Sequence, residues 1–512
     1  MEGKKKQGLF QRSLDRIEYV GNKLPHPVTL FIILAFIVLI TSAIVSSTGV
    51  SVQHPGNAEE QITVKNLLNA EGIAYIFTSM VDNFINFAPL GVVLVTMLGI
   101  GLAERTGLIS AGLRAFVLSL PKSLITAGLV FAGIMSSVAT DAGYVVLPPL
   151  GAVLFAALGR HPLAGLAAAF AGVSAGFSAN LVPTALEPLL GEMTMAAVAT
   201  IGAEGEAYAE TMNILMNYYF TVVSVFLLTI VGTFVTEKIV EPRLGAYTGS
   251  YKEEATGLSK IEKKGLRYAG LSLLISVIAA SLLIVPENAP LRGEDGAIII
   301  SPFMSSLVPI IFILFFIPGV VYGIVTKNVK NDKDVANHLS ETMGSMGMFI
   351  ILSFAAGQFV AYFTESNLGM LIGVYGAEFL NTISLNGIPL LIVFIIIAGI
   401  INIFIGSATA KWAMMAPIFV PIMMKLGYSP ELTQMAYRIA DSSTNIISPL
   451  MTYFALIIAY AQKYDKKMGI GTLISTMFPY SIFFFIIWTL MLVVWMLLGI
   501  DLGPGSPIYY DN

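Results

Sequence analysis

Apolar runs of membrane-spanning length, separated by short polar loops, recur from one end of this sequence to the other; residues 28–48, 214–236, 302–325, 387–405 and 476–499 are the clearest. A hydrocarbon core about 30 Å thick takes roughly 20 such residues per helix. A helix pairs its own backbone groups inside that core, which open strands and loops cannot do. The pattern therefore restricts the chain to a helical membrane bundle. Charged residues make up 12% of the chain, against about a quarter in a soluble domain, and the mean hydropathy is +0.80. The expected fold is an all-α polytopic membrane protein with about nine transmembrane helices. Segments that enter and return on the same side, as re-entrant helical hairpins, complete it.

Weaker runs fill in the order. Residues 73–103 carry Asp82, Asn83, Asn86 and Pro89 and read as an interfacial or half helix leading into a span. Further runs lie near 123–140, 268–285, 344–363 and 369–380. Lys and Arg concentrate in the N-terminal segment, 104–122, 238–267, 327–333 and 463–467, and are sparse in 51–72, 201–210, 286–300 and the tail. Basic loops stay in the cytoplasm, so the N-terminus is expected inside and the C-terminus outside, in a cell (inner, cytoplasmic) membrane. The division that follows is a cytoplasmic segment 1–27, a first half 28–236, a basic cytoplasmic loop 237–267, a second half 268–500 and an extracytoplasmic tail 501–512. The run at 28–45 is long and lacks a small-residue cleavage site, so it reads as a first span and not a removed signal.

Several chemistries are disfavoured. There is no cysteine, hence no disulfide or thiol site, and the net charge of −4 gives no footing for nucleic acid. His26, His54, His161 and His338 are scattered, and neither H-E-x-x-H nor a phosphate-binding G-x-x-x-x-G-K-[ST] occurs. ATP coupling within this chain is not expected. An intramembrane enzyme, for instance one using Asp141 and Asp441, and a channel are the readings from other classes.

Residues 399–460 concentrate polar groups and helix breakers in an apolar setting: Asn402, Ser407, Thr409, Lys411, Trp412, Arg438 and Asp441-Ser442-Ser443-Thr444-Asn445, with Gly406, Pro417, Pro421, Gly427, Pro430 and Pro449 among them. Ionisable groups at membrane depth mark a pathway or site, and broken helices there line a cavity. A similar order of punctuation occurs at 137–190. Thr140 and Pro148 align with Thr409 and Pro417 at one register. Gly159, Pro162 and Ser174 align with Gly427, Pro430 and Ser442 one residue away. Ser178, Asn180 and Pro183 correspond loosely to Thr444, Asn445 and Pro449. Paired interrupted segments of this kind point to the midplane site of a secondary transporter. Re-entrant hairpins are accordingly expected around 137–190 and 407–450.

Arg438 and Asp441 share a helix face and read either as a neutralised pair or as two working groups. In the second case Arg438 receives a substrate carboxylate and Asp441 holds a coupling cation or proton. Asn180, Ser178 and Ser174 form the first-half counterpart, and sodium is one candidate ion, at Asn180, Asn445 and Asp441, with Ser442 beside them; a proton is the other. Glu187 is either a coupling acid or a solvated hairpin tip. Asp141 is either functional or a buried helix cap. Lys411 either snorkels or joins Arg438 on a dicarboxylate. Trp412 either stacks on an aryl ligand or belongs to an interfacial belt.

The runs LDRIEYVGNKLPHP, AGVSAGFSANL, GSATAKW and YRIADSSTNIISPL resemble the p-aminobenzoyl-glutamate transporter (AbgT) family nearly end to end. The resemblance implies a homodimer, with the inverted-repeat architecture of the ion transporter superfamily. It places functional positions at Asn402, Thr409, Trp412, Pro430, Arg438, Asp441 and Pro449. Glu187 stands where some relatives have Asp, and Thr409 where some have Ser. The implied activity is secondary active uptake of p-aminobenzoyl-glutamate, an organic anion and folate catabolite, with no cofactor beyond a coupling Na+ or H+. Proton-driven export of sulfonamide-type antimetabolites is the alternative.

Overall fold

The computed structural model describes residues 25–54, 57–138, 142–247, 257–286, 288–293, 296, 301–383, 386–449, 451 and 453–510. The N-terminal segment up to residue 24, together with Thr140 and Asp141, lies outside them. Among the described residues eight helices are long and apolar enough to cross a membrane. The count reaches nine if Leu108–Leu118 and Lys122–Val138, bent by 118° at their junction, form one span. The outer helices carry their apolar residues to the surface. Ile32, Phe36, Ile40 and Ile44 of Pro27–Thr48 and Leu274 and Ile278 of Lys260–Leu282 are all exposed, as lipid-facing surface requires. A small addition to the helical plan is an antiparallel hairpin, Ser51–His54 with Asn57–Thr63.

The helix Tyr218–Leu244, 27 residues long, is a ruler for the molecule; at 1.5 Å per residue its ends lie about 40 Å apart. Near its start, the Phe220 amide donates to the Leu502 carbonyl. Close to its finish, Glu241 accepts from Arg160, with Nη2 to Oε2 at 2.5 Å. These contacts define two opposite ends. The Arg160 end carries Lys238 and Arg243, and Arg243 also bonds Ser475. At the Leu502 end the C-terminal residues pack on other loops: Ser429 donates to the Ile508 carbonyl and the Tyr510 hydroxyl to Glu204.

Two pairs of helical arms each return to the end they left. The arms Ile125–Met135 and Ala142–Ala157 open at the Arg160 end, because Arg160 also donates to Thr126 at 2.8 Å. The arms Gly387–Phe404 and Ala408–Lys425 open at the Leu502 end, where Tyr428 meets the Gly387 backbone. The returning pairs therefore occupy 125–157 and 387–425, upstream of the ranges 137–190 and 407–450 expected from sequence. The reason is local. Gly159-Arg160-His161-Pro162 and Gly427-Tyr428-Ser429-Pro430 look like hairpin tips but are turns at the molecule's two ends. Each begins a fresh helix with proline at its first position and His161 or Ser429 capping it, where the missing N–H is harmless. The second pair turns at Ile405 to Ser407, and the first pair runs into Ser136–Val138 on one arm and starts again at Ala142 on the other.

Each fresh helix is itself interrupted. Pro162–Phe170 continues through Ala171–Ala175, breaks, and resumes as Leu186–Ala199; Pro430–Asn445 breaks and resumes as Phe454–Gln462. Close contact between an arm and its neighbour depends on glycine. A Cβ on Gly151 would stand 2.4 Å from the Gly165 carbonyl oxygen, so small residues set the approach of these helices.

Candidate functional site

Helix Pro430–Asn445 is buried along its whole length although it carries Glu431, Gln434, Arg438, Asp441 and four consecutive Ser, Thr and Asn residues. Arg438 and Asp441, one turn apart, face different partners and not each other. Arg438 Nη2 lies 2.7 Å from Glu187 Oε1 at the start of Leu186–Ala199 and 3.1 Å from the Ser178 carbonyl. Asp441 Oδ1 lies 2.5 Å from Lys411 Nζ in the second returning arm. Lys411 is 0% exposed, so it does not snorkel, and Glu187, at 4%, is no solvated tip. Four ionic groups are thus held as two buried pairs. Each charge gives up several kcal/mol of hydration, recovered only through tight pairing and further hydrogen bonds.

Those further bonds are present. Glu187 Oε2 accepts from the Thr184 amide at 2.5 Å and its hydroxyl at 2.6 Å. Lys411 also donates to Asn402 Oδ1 and to the Ile405 carbonyl freed at the second tip. Asn402 Nδ2 reaches the Asp441 carbonyl, Thr444 Oγ1 and Asn445 Oδ1 at 2.7, 2.7 and 2.9 Å. Ser442 bonds both the amide and the hydroxyl of Ser178, tying the two broken helices together. Trp412 is fully buried, stacked on Tyr437 with ring centroids 4.6 Å apart, and its Nε1 donates to Thr194 at 2.9 Å. It belongs to no interfacial belt. Tyr437 in turn donates to the Ala408 carbonyl.

Beside this network lies a cavity of about 370 Å³. Ser137 of the first tip and Ser407, Ala408 and Thr409 of the second line it, with Phe177, Ala185, Leu186, Leu189, Met97, Phe349 and Leu352. Of the predicted substrate residues, the structure brings Thr409 to this wall; Asn402, Lys411, Trp412, Pro430 and Arg438 are not among its lining residues. Pro430 starts its helix and Pro449 follows the break after Asn445, half-buried. A second cavity of about 410 Å³ shares Met97, Ser345 and Met346 with the first and extends to Glu104, Arg105 and Thr342. A third, of about 770 Å³, is lined by Glu192, Glu210 and Asn213.

Among the three residues expected to hold sodium, Asp441 and Asn445 direct side-chain oxygens to Lys411 and Asn402. Asn180 differs. Its Nδ2 donates to Ser137, while its Oδ1 is buried with no partner. Among the described residues no three His, Cys, Asp or Glu converge as a site for a multivalent metal. Sequence reasoning did not single out Tyr437 or Thr194, and it counted Ser407 only among the polar groups of 399–460 without giving it a role. Ser407 carried a legible signal, since it caps Ala408–Lys425 by accepting from the Ala410 amide, a role typical of serine before a helix. Thr194 had none, for its contacts to Trp412 and Gln434 cross more than 200 residues of chain.

Comparison with known proteins agrees with this geometry. The model of the "AbgT putative transporter family" matches residues 12–510. The p-aminobenzoyl-glutamate transport protein of Escherichia coli (strain K12) is 38% identical over 490 residues, covering 96% of this chain and 95% of that one. The crystal structure of the Alcanivorax borkumensis YdaH transporter superposes with a TM-score of 0.89 at 41% identity, over 94% of this chain and 100% of that one. Neisseria gonorrhoeae MtrF, described with a class of antimetabolite efflux pumps, gives 0.90 at 46%, over 97% and 100%. These relatives are transporters, not enzymes. The chain is a multi-pass membrane transporter and belongs to the AbgT family.

Proposed function

We propose that this protein is a secondary active transporter of aryl dicarboxylates of the p-aminobenzoyl-glutamate type, driven by an ion gradient. The observation that carries the reading is the cavity between the two hairpin tips. Its wall includes Ala408 and Thr409, in the first turn of Ala408–Lys425, and Leu186, in the first turn of Leu186–Ala199. Helix N-termini favour anions, and broken helices in transporters use this feature for carboxylates. Ser137, Ser345, Ser407 and Thr409 supply hydroxyls, while Phe177, Phe349 and the Leu and Met side chains accept an aryl ring. Arg438 and Lys411 are each engaged by an acid and do not line the cavity.

The relative from Escherichia coli is named for p-aminobenzoyl-glutamate, which fits a site of this character. A second reading, export of sulfonamide-type antimetabolites driven by protons, is favoured by the lack of any Lys or Arg among the described residues that line the cavity; a neutral aryl sulfonamide needs none. The coupling ion is sodium or a proton, with Asn180 Oδ1 the donor left free for a cation. The basic Arg160 end faces the cytoplasm, placing the C-terminal residues outside an inner, cytoplasmic membrane. The second cavity adjoins the first at Met97, Ser345 and Met346 and extends to Arg105, in the basic stretch 104–122 expected on that side. The assembly is a homodimer in the bilayer.

Flux of radiolabelled p-aminobenzoyl-glutamate in proteoliposomes, with sodium and pH gradients imposed separately in each direction, tests this. Uptake that follows one gradient supports the reading. Folded protein that moves the compound under neither gradient, yet moves a sulfonamide, selects the exporter; movement of neither compound rejects both.

A further inference from the structure

We infer that Lys411 is a tethered cation: its ammonium fills the seat that an alkali ion would take at the second hairpin, so this half of the transporter binds no sodium. The inference concerns the ion in the ion-driven cycle proposed above and rests on that reading for its meaning, though binding alone can test it.

Three oxygens from three segments converge on Lys411 Nζ. Asn402 Oδ1 comes from the end of the first arm, the Ile405 carbonyl from the tip, and Asp441 Oδ1, at 2.5 Å, from the broken helix. A carboxylate, an amide oxygen and an unwound carbonyl form the kind of set that hard cations seek. The ammonium has three N–H donors, one for each oxygen. The neighbouring oxygens are engaged as well, because Asn402 Nδ2 takes the Asp441 carbonyl, Thr444 Oγ1 and Asn445 Oδ1. Within the oxygen run, Asp441, Thr444 and Asn445 therefore serve a lysine and an asparagine, while Ser442 is spent on Ser178 and Ser443 on the Ile439 carbonyl.

Charge leads to the same result. Asp441 provides one negative charge here, the arm Gly387–Phe404 carries no ionisable residue, and Glu187 is matched by Arg438. A sodium ion added beside Lys411 would leave an unmatched positive charge in a fully buried place, which is strongly unfavourable. The first half differs. At the register that aligns Thr140 with Thr409 and Pro148 with Pro417, Lys411 falls on Ala142. There Asn180 Oδ1 is buried without a partner.

Equilibrium binding of 22Na+ to purified full-length protein in detergent, with thermal unfolding as the check on folding, decides the matter. Lys411→Met removes the charge at similar length, and is expected to bind one more sodium per protomer than the unsubstituted protein. The double variant Lys411→Met, Asp441→Asn is expected to lose that extra ion. Folded Lys411→Met with no added sodium overturns the inference. Asn180→Leu tests it with Lys411 in place; saturable sodium binding by that variant that is lost on adding Asp441→Asn overturns the inference. Neither measurement depends on flux, so a failure here is distinct from a failure of the substrate assignment.

Discussion

The two hairpins share a plan and differ in how their polar groups are satisfied. Both are pairs of arms that return to the end they left, one opening at the Arg160 end and the other at the Leu502 end. Around the second, Lys411, Asn402, Asp441, Thr444 and Asn445 close into a network in which one cation neutralises one acid. Beside the first, Asn180 makes one bond to Ser137 and leaves its other polar atom unpaired. A buried polar atom without a partner costs about 1–3 kcal/mol. Its persistence suits a place that accepts something, while a closed network suits one that holds shape. Symmetry of the chain trace thus carries asymmetry of chemistry.

The sharpest way to break this comparison is to unpair the second half. Asp441→Ala leaves Lys411 charged, fully buried and without its acid. The expected loss of stability is about 3–5 kcal/mol, read by SDS-titrated unfolding. Lys411→Met combined with Asp441→Leu removes both charges and is expected to recover most of it, since apolar replacement of a whole buried pair is near neutral. Full stability in Asp441→Ala alone would show that the pair does not hold the network together.

A smaller effect is expected on the bridge between halves. Arg438→Met strands Glu187, but Glu187 keeps its two bonds from Thr184. Two bonds go with Arg438, to Glu187 Oε1 and to the Ser178 carbonyl, and the loss should be about 3 kcal/mol, the low end for a broken buried pair. A loss as large as that for Asp441→Ala would mean that the Thr184 bonds contribute little and that the two pairs are energetically alike.

Much of this was legible in the sequence. Length and hydropathy dictated a helical bundle, and the shared punctuation of 137–190 and 407–450 located the two broken regions. The choice of Arg438, Asp441, Asn180 and Glu187 followed from polar groups in apolar runs. Partner choice was not legible. Arg438 and Asp441 sit three apart, which puts them on one face, yet each is drawn to an ion on another helix, 251 and 30 residues away. Local spacing reports who can touch within a helix; it is silent on which distant segment packs against it. Hairpin placement shifted for a related reason. Glycine and proline mark a turn equally well at a membrane surface and at a midplane tip, so in the sequence the stretches at Ser136 to Val138 and Ile405 to Ser407 look like beginnings of hairpins and not like their inner ends.

Thr409→Val separates the cavity wall from the charged network behind it. Thr409 lines the cavity and takes part in neither ion pair. Its loss should weaken ligand binding by about 1 kcal/mol, roughly five-fold, with unfolding unchanged. Titration calorimetry with p-aminobenzoyl-glutamate measures it. A drop in stability with unchanged affinity would move the binding surface away from the second tip.

The smallest expected effect bears on whether Trp412 touches ligand or shapes the wall. Its ring stacks on Tyr437, its N–H is spent on Thr194, and no face of it is exposed. Trp412→Phe keeps an aromatic ring against Tyr437 and removes one hydrogen bond. Thr194 Oγ1 retains the bond from Gln434 Nε2 at 2.7 Å, so no acceptor is orphaned. The cost should therefore be about 0.5 kcal/mol in stability, with ligand affinity unchanged within two-fold. A ten-fold loss of affinity at full stability would put an aryl ring of the ligand in place of Tyr437. In that case the stack in this structure would be the ligand-free arrangement of the same surface, and the second hairpin, like the first, would hold a group waiting for its partner.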